Sequence, residues 1–230
     1  MSSKNKKVFA EGYSFKKLFL IFVIGSIFGA LYEQILNLIT TYLQTGNLVW
    51  ELRRGVIYGP FSPIYGAGAV LLVYFLAKPN YSNLKTFILG ALGGGAFEYL
   101  ISFLQETFTH TVSWDYSDHF LNINGRTTIP FMLVWGFFAL VFVKIVYPFL
   151  SEQIEKIPIK FGNICFNIIF IFLVIDMAIS WPALIRSALR RNNIEPLTPV
   201  GHFYDKVYPD PVLAKSFPNM SFDVRKDKKK

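Results

Sequence analysis

Read for its apolar and polar positions, the chain shows five long apolar runs rather than amphipathic stripes: about Leu18 to Leu38, Tyr58 to Ala77, Thr86 to Gln105, Thr127 to Tyr147 and Phe161 to Leu184. Each matches the ~20 residues that cross a ~30 Å hydrocarbon core as a helix. A soluble core helix rarely stays apolar on every side. The pattern predicts an all-α, polytopic integral membrane protein with about five transmembrane helices. Polar stretches divide it into a basic N-terminal segment (1–17), a four-span core (18–148), a connector with the fifth span (149–184) and a polar Pro- and Lys-rich tail (185–230).

Five spans place the loops Ile39 to Ile57 and Glu106 to Arg126, together with the tail, on one face of the bilayer. The short connections Lys78 to Lys85 and Phe149 to Lys160 lie on the other. Lys4, Lys6, Lys7, Lys16, Lys17, Lys78, Lys85, Lys156 and Lys160 favour a cytoplasmic N-terminus in the cell membrane, against Arg53, Arg54, Arg126, Arg186, Arg190 and Arg191. The first run is expected to be retained rather than cleaved as a signal: it is span-length, and Gly25 to Tyr32 offers no clear small-residue cleavage site. After Arg191, Pro196, Pro199, Pro209, Pro211 and Pro218 predict an extended or partly disordered tail ending in RKDKKK.

Composition adds little to the class, at 53% apolar and 17% aromatic residues, but the charge excludes one partner. The net +8 is concentrated at the two ends rather than over a folded face, which suits solvated tails near anionic lipid and argues against nucleic acid. The single cysteine, Cys165, sits inside the fifth run, so no internal disulfide is available.

Runs one and three echo each other without gaps. Phe22, Gly25, Gly29, Tyr32 and Glu33 correspond to Phe87, Gly90, Gly94, Phe97 and Glu98. Glycines four apart share a helix face and permit close backbone approach; the glutamate lies one turn further along it. The echo continues through Trp50-Glu51 and Trp114-Asp115, then Arg54-Gly55 and Gly125-Arg126, then Pro60 and Pro130. The expectation is a parallel helix-loop-helix repeat, 18–77 and 86–147, of the kind that places a transporter's site at the repeat interface.

Intramembrane carboxylates are costly and mark functional positions. Glu33, Glu98 and Asp176 fall in the halves of their helices nearer the loop face, which also carries Arg53, Arg54 and Arg126. The arginines are expected to reach inward and pair with the acids. Tyr58, Tyr65, Tyr99, Trp114, Asp115, Tyr116, Asn122 and Asn124 surround them, as in a pocket for a polar head group. Asn124-Gly125 predicts a sharp turn in the second loop, and Gly59, Pro60 and Pro63 predict a broken approach to the second span. His110, Asp115, Asp118 and His119 lack a tight metal-ligand spacing, and no cofactor motif is present. Without a phosphate loop, any use of ATP requires a separate subunit. Lys144 needs no role beyond snorkelling.

Tyr32-Glu33, RGVIYGPFSPIYG (Arg54 to Gly66), FEY (Phe97 to Tyr99), WDYS (Trp114 to Ser117), LNINGR (Leu121 to Arg126) and Trp135-Gly136 occur in order. Over roughly Phe15 to Pro148 the chain resembles the ABC-transporter type IV, CmpB-like permease family of bacterial membranes, and is similar to the animal transmembrane protein 229 group. Ser62 stands where the family pattern has cysteine, and Thr127-Thr128 replace a more apolar pair. The resemblance implies a transport permease in the lipid bilayer, joined to an ATPase subunit or to a second copy of itself. Two other readings stay open. One is a membrane enzyme on a lipid or isoprenoid head group, with Glu33 or Glu98 as general base and Arg54 and Arg126 clamping phosphate. The other is an assembly scaffold.

Overall fold

The computed structural model describes residues 8–218 and 220. Helix α1 (Phe15–Thr45) starts where the Ser14 side chain accepts the Lys17 N–H and stops at Gly46, whose φ of 72° takes the left-handed cap. Helix α3 (Asn83–Thr109) begins in the same way at Ser82 and ends at His110. Helix α4 (Ile129–Val141) is capped by Thr128, with Pro130 in its first turn. A π-turn, Phe142–Val146, carries α4 into α5 (Tyr147–Glu155), making one continuous 27-residue helix. The fourth span therefore does not end at Tyr147. Pro148 cannot donate to the helix ladder, and the widened turn before it accommodates the ring.

The second apolar run is only partly helical. Gly59, at φ 70°, and Pro63 at the helix start leave α2 (Pro63–Leu76) with 14 residues. Among the described residues, then, four helices are long and apolar enough to cross a membrane, and α2 is a shorter apolar fifth. No more than 39% of any long apolar window is buried inside the protein. Their apolar flanks face outward, the inverse of a soluble bundle, and this all-α fold belongs in a membrane.

The glycine echo has a packing counterpart. A Cβ on Gly25 of α1 would fall 2.8 Å from the Ala69 Cβ of α2, and one on Gly90 of α3 would overlap the Ala139 Cβ of α4. Gly29 lies against the Tyr65 ring and Gly94 against Trp135. In return, Gly66 abuts the Phe22 carbonyl and Gly136 the Phe87 carbonyl. Equivalent positions are 65 residues apart on α1 and α3 and 70 apart on α2 and α4. Two helix pairs thus pack in one register, and the difference falls in the loops.

At the short-connection end, Phe9, Ile21, Val73, Leu76, Phe142, Ile154 and Phe166 form the main core. Lys17 is fully buried there and reaches Ser151 Oγ at 2.6 Å and Glu155 at 2.7 Å, a role its place in the basic N-terminal run did not signal. Lys144 donates to the Tyr81 carbonyl at 2.7 Å, so it ties the α4 side to the α2–α3 connection rather than simply snorkelling.

Helix α6 (Ile159–Arg191) runs through Pro182 instead of ending there. Proline leaves the carbonyl four residues back without its donor. That carbonyl, Ala178, accepts the Tyr204 hydroxyl from the tail at 3.3 Å. The tail is likewise not extended: α7 (Pro199–Val207) and α8 (Asp210–Ser216) fold back, with Pro199 and Pro211 in first turns where proline is tolerated. Arg186 grips Asp205 bidentately at 2.8 and 2.9 Å, and Arg190 bridges Asp205 and Asp210 at 2.6 Å each. Ile57, Ala183, Leu184, Tyr208, Leu213 and Phe217 form a second core beneath. The closing basic run falls outside the described residues.

This clamp has a pH signature. The Arg186 bonds, aided by Arg190 and opposed by burial, hold the Asp205 carboxyl below its ordinary range. Burial raises Asp210, but bonds from Arg190 and Ser187 outweigh it and the net shift is also downward. A depressed carboxylate contributes stability above its unfolded pKa and loses it as pH falls through the folded value. Amide hydrogen exchange in α7 and α8, corrected for intrinsic rates, is expected to stay protected from pH 7 downward and to rise only below about pH 4.

Candidate functional site

Two carboxylates occupy equivalent places at the loop end. Glu33 on α1 accepts the Tyr65 hydroxyl of α2 at 2.7 Å. Glu98 on α3 accepts three donors: Tyr116 Oη at 3.2 Å, Thr127 Oγ1 at 2.6 Å and Trp135 Nε1 of α4 at 3.3 Å. Tyr65 and Trp135 are themselves equivalent in the packing. Burial first, then the Glu98 carboxylate and more weakly Glu33 acting through space, push the Tyr116 phenol well above the ordinary range. Its hydroxyl therefore remains a donor at neutral pH.

The second loop is shaped to deliver that hydroxyl. Asn122–Ile123 pairs with Thr127–Thr128 as a two-residue antiparallel ladder (β1 and β2) across Asn124-Gly125, both at positive φ. Asn122 accepts the Gly125 N–H and donates to the Ser117 and His119 carbonyls. Asp115 accepts from the Ser117 N–H and hydroxyl. The Tyr116 N–H donates to the Gly125 carbonyl and Trp114 Nε1 to that of Arg126, each at 2.9 Å. Arg126 pairs with Glu106 and lies 5.5 Å from the Tyr99 and Phe103 ring centres, while Asn124 donates to the Tyr99 hydroxyl at 2.9 Å. Trp114, Asp115, Asn122, Asn124, Tyr99 and Arg126 thus build the loop, and Tyr116 reaches Glu98.

Two expectations are corrected. The arginines do not bond the intramembrane acids. Arg53 pairs with Glu51 at 3.0 Å and bonds Asn37, and it acts on Glu33 only through space. Among the described residues neither Glu33 nor Glu98 receives an ion pair. Nor does Asp176 join the other two acids. It is buried, and its Oδ1 accepts the Tyr58 N–H at 3.2 Å and the Ser180 hydroxyl at 3.0 Å, while Ser180 takes the Ile57 N–H at 2.8 Å. Arg54, whose own pKa burial lowers and Asp176 partly restores, turns to the Ser216 carbonyl at 3.3 Å. The Tyr58 and Tyr208 hydroxyls meet at 3.0 Å, and burial and this bond push Tyr208 up to about 12. Tyr58, Arg54 and Asp176 form a separate polar cluster under the tail.

Sequence reasoning missed Thr127, Trp135 and Glu106. The repeat held a signal for Trp135, which stands where Tyr65 stands. Glu106, two turns beyond Glu98 on the same face, held another.

The family described as "Putative ABC-transporter type IV" matches residues 20–181. The chain belongs to this family. The match covers α6 as far as Trp181, beyond the Pro148 limit expected from the motifs, and leaves the tail outside. No curated protein and no solved structure matches the chain. Family and apolar helices together support a membrane transport-associated protein.

Proposed function

We propose that this chain is the membrane component of a transport system, with its solute site at the loop end between the two helix pairs, around Glu33, Tyr65, Tyr116 and Glu98. One observation carries the reading: carboxylates stand at equivalent places in two helix pairs packed in one register, each bonded by a tyrosine hydroxyl, Glu33 by Tyr65 and Glu98 by Tyr116 of the second loop, in a chain of a transporter family. Parallel repeats with the site at their interface are a transporter arrangement. The bonds to both acids come from neutral hydroxyls and an indole, which favours a solute that brings a hydrogen-bond donor or a positive charge. Arg126 and Arg54, wanted for a phosphate clamp, are engaged by Glu106 and Ser216, which weighs against a head-group enzyme. The orientation that accompanies this reading has the N-terminus on the cytoplasmic side of the cell membrane, and the partner is an ATPase subunit or a second copy. Native mass spectrometry from gentle detergent is expected to recover the chain with such a partner and bound lipid. A bare monomer under every mild condition would sink the transport-subunit reading.

A further inference from the structure

Of the buried side-chain atoms without a hydrogen-bond partner among the described residues, one belongs to a carboxylate, Asp176 Oδ2. The residue is only 1% exposed, and a buried carboxylate oxygen with no donor is costly. A cation is near: Arg54 is close enough to act on Asp176 through space. Its guanidinium bonds Ser216 of α8 instead, through contacts of 3.3 and 3.5 Å that are long for charged donors. Arg54, Tyr58, Asp176 and Ser180 all lie inside the family match, whereas Ser216 and Tyr208 lie beyond it. The family core therefore holds both Arg54 and a carboxylate oxygen without a donor, while the bonds of Arg54 go to the tail.

We propose that the segment 192–218 is a detachable latch and that Arg54 is its switch, held by Ser216 while the tail is docked and closing on Asp176 when the tail lifts. Two alternative partners for one charged group make a bistable element. The tail side is held by the Arg186–Asp205 and Arg190–Asp205–Asp210 ion pairs and by the hydroxyl contact of Tyr208 with Tyr58. The core side is ready-made, because Asp176 Oδ1 is already fixed by Tyr58 and Ser180 and leaves Oδ2 for a guanidinium. The switch also has mechanical leverage. Arg54 leads into Gly55–Ser62, pinned by the Ile57, Tyr58 and Ser62 N–H groups, and that segment sets the start of α2, which carries Tyr65 to Glu33.

The test uses the full chain with Cys165→Ser and spin labels at Leu48→Cys and Val200→Cys, both well exposed at 74% and 64%. Pulsed dipolar spectroscopy in detergent is expected to give one narrow distance with the tail otherwise unmodified. Asp205→Asn with Asp210→Asn is expected to add a second, broader population, raising the released-to-docked ratio about tenfold. An unchanged single distance overturns the latch. Where that pair of substitutions abolishes folding, Asp210→Asn alone, at a position whose side chain is 43% exposed, reads the same ratio. Adding Asp176→Asn keeps an oxygen for Tyr58 and Ser180 but removes the charge that competes for Arg54. It is expected to return most of the released population to the docked distance, and to do nothing in an Arg54→Ala background. A tail that is merely a structural prop would be further released or unmoved by Asp176→Asn, and either result overturns the switch.

Discussion

Leucine at Gly66 or Gly136 is expected to abolish recovery of folded protein in detergent, and the two substitutions are expected to act alike. At Gly66 the added Cβ would overlap Ser26 Oγ and crowd the Phe22 carbonyl; at Gly136 it would lie 2.8 Å from the Phe87 carbonyl. These obstacles include main chain inside helices, so they cannot rotate away as a flexible side chain would. Overpacking costs about 1–3 kcal/mol where neighbours can adjust, and more where backbone must separate. Gly93 supplies the control. A Cβ there meets nothing within 4 Å, so Gly93→Ala is expected to be neutral or to stabilise by up to about 1 kcal/mol through helix propensity alone. Size-exclusion yield and thermal melting distinguish the two classes; a Gly66→Leu protein that melts like its parent means that the α1–α2 register is wrong.

The same glycines show what the sequence could and could not reveal. Helix positions are local facts: an apolar run, a Ser14 or Ser82 cap, and a glycine stripe each speak for their own stretch, so the long spans and the shared register of the two pairs were legible. What decides Pro182 is not local. The ring breaks the ladder, and the donor that repairs it is a tyrosine 22 residues later. Likewise the prolines of the tail read as breakers until Arg186 and Arg190 offer charges for α7 and α8 to dock on, after which Pro199 and Pro211 sit comfortably in first turns. The second span kept its predicted broken approach, but its helix is shorter than the apolar run. Gly59, Pro60 and Pro63 mark the break, but an apolar run of span length does not reveal how much of itself stays extended. In the site, carboxylates announce themselves by their cost in hydrocarbon, whereas their partners are hydroxyls and an indole that look like ordinary span-end residues. The arginines drew attention by charge, yet Glu51 and Glu106, closer in the fold, took Arg53 and Arg126.

Glu98→Ala is expected to destabilise the protein by about 3 kcal/mol or more, and Glu33→Ala by about 1 kcal/mol, although the two acids stand in equivalent places. The difference lies in what each leaves behind. Removing the Glu98 carboxylate strands the Tyr116, Thr127 and Trp135 donors together, each losing its acceptor; among the described residues, removing Glu33 strands Tyr65 alone. In the first pair the position equivalent to Thr127 is Ile57, which asks for no acceptor and is buried in the tail core instead. Glutamine separates charge from hydrogen bonding: Glu98→Gln retains one acceptor oxygen and is expected to recover part of the loss. Thermal melts of the four variants in one detergent measure the order Glu98→Ala, Glu98→Gln, Glu33→Ala, Glu33→Gln from least to most stable. Equal losses at the two acids would mean that the second loop is not anchored through Glu98. The unequal donor sets also divide the labour between the pair. Glu98 fastens the hairpin that carries Tyr116, and Glu33, with a single hydrogen-bond partner among the described residues, is the acid that the proposed solute site would use. Glu33→Gln is therefore the variant expected to impair solute handling while the fold survives.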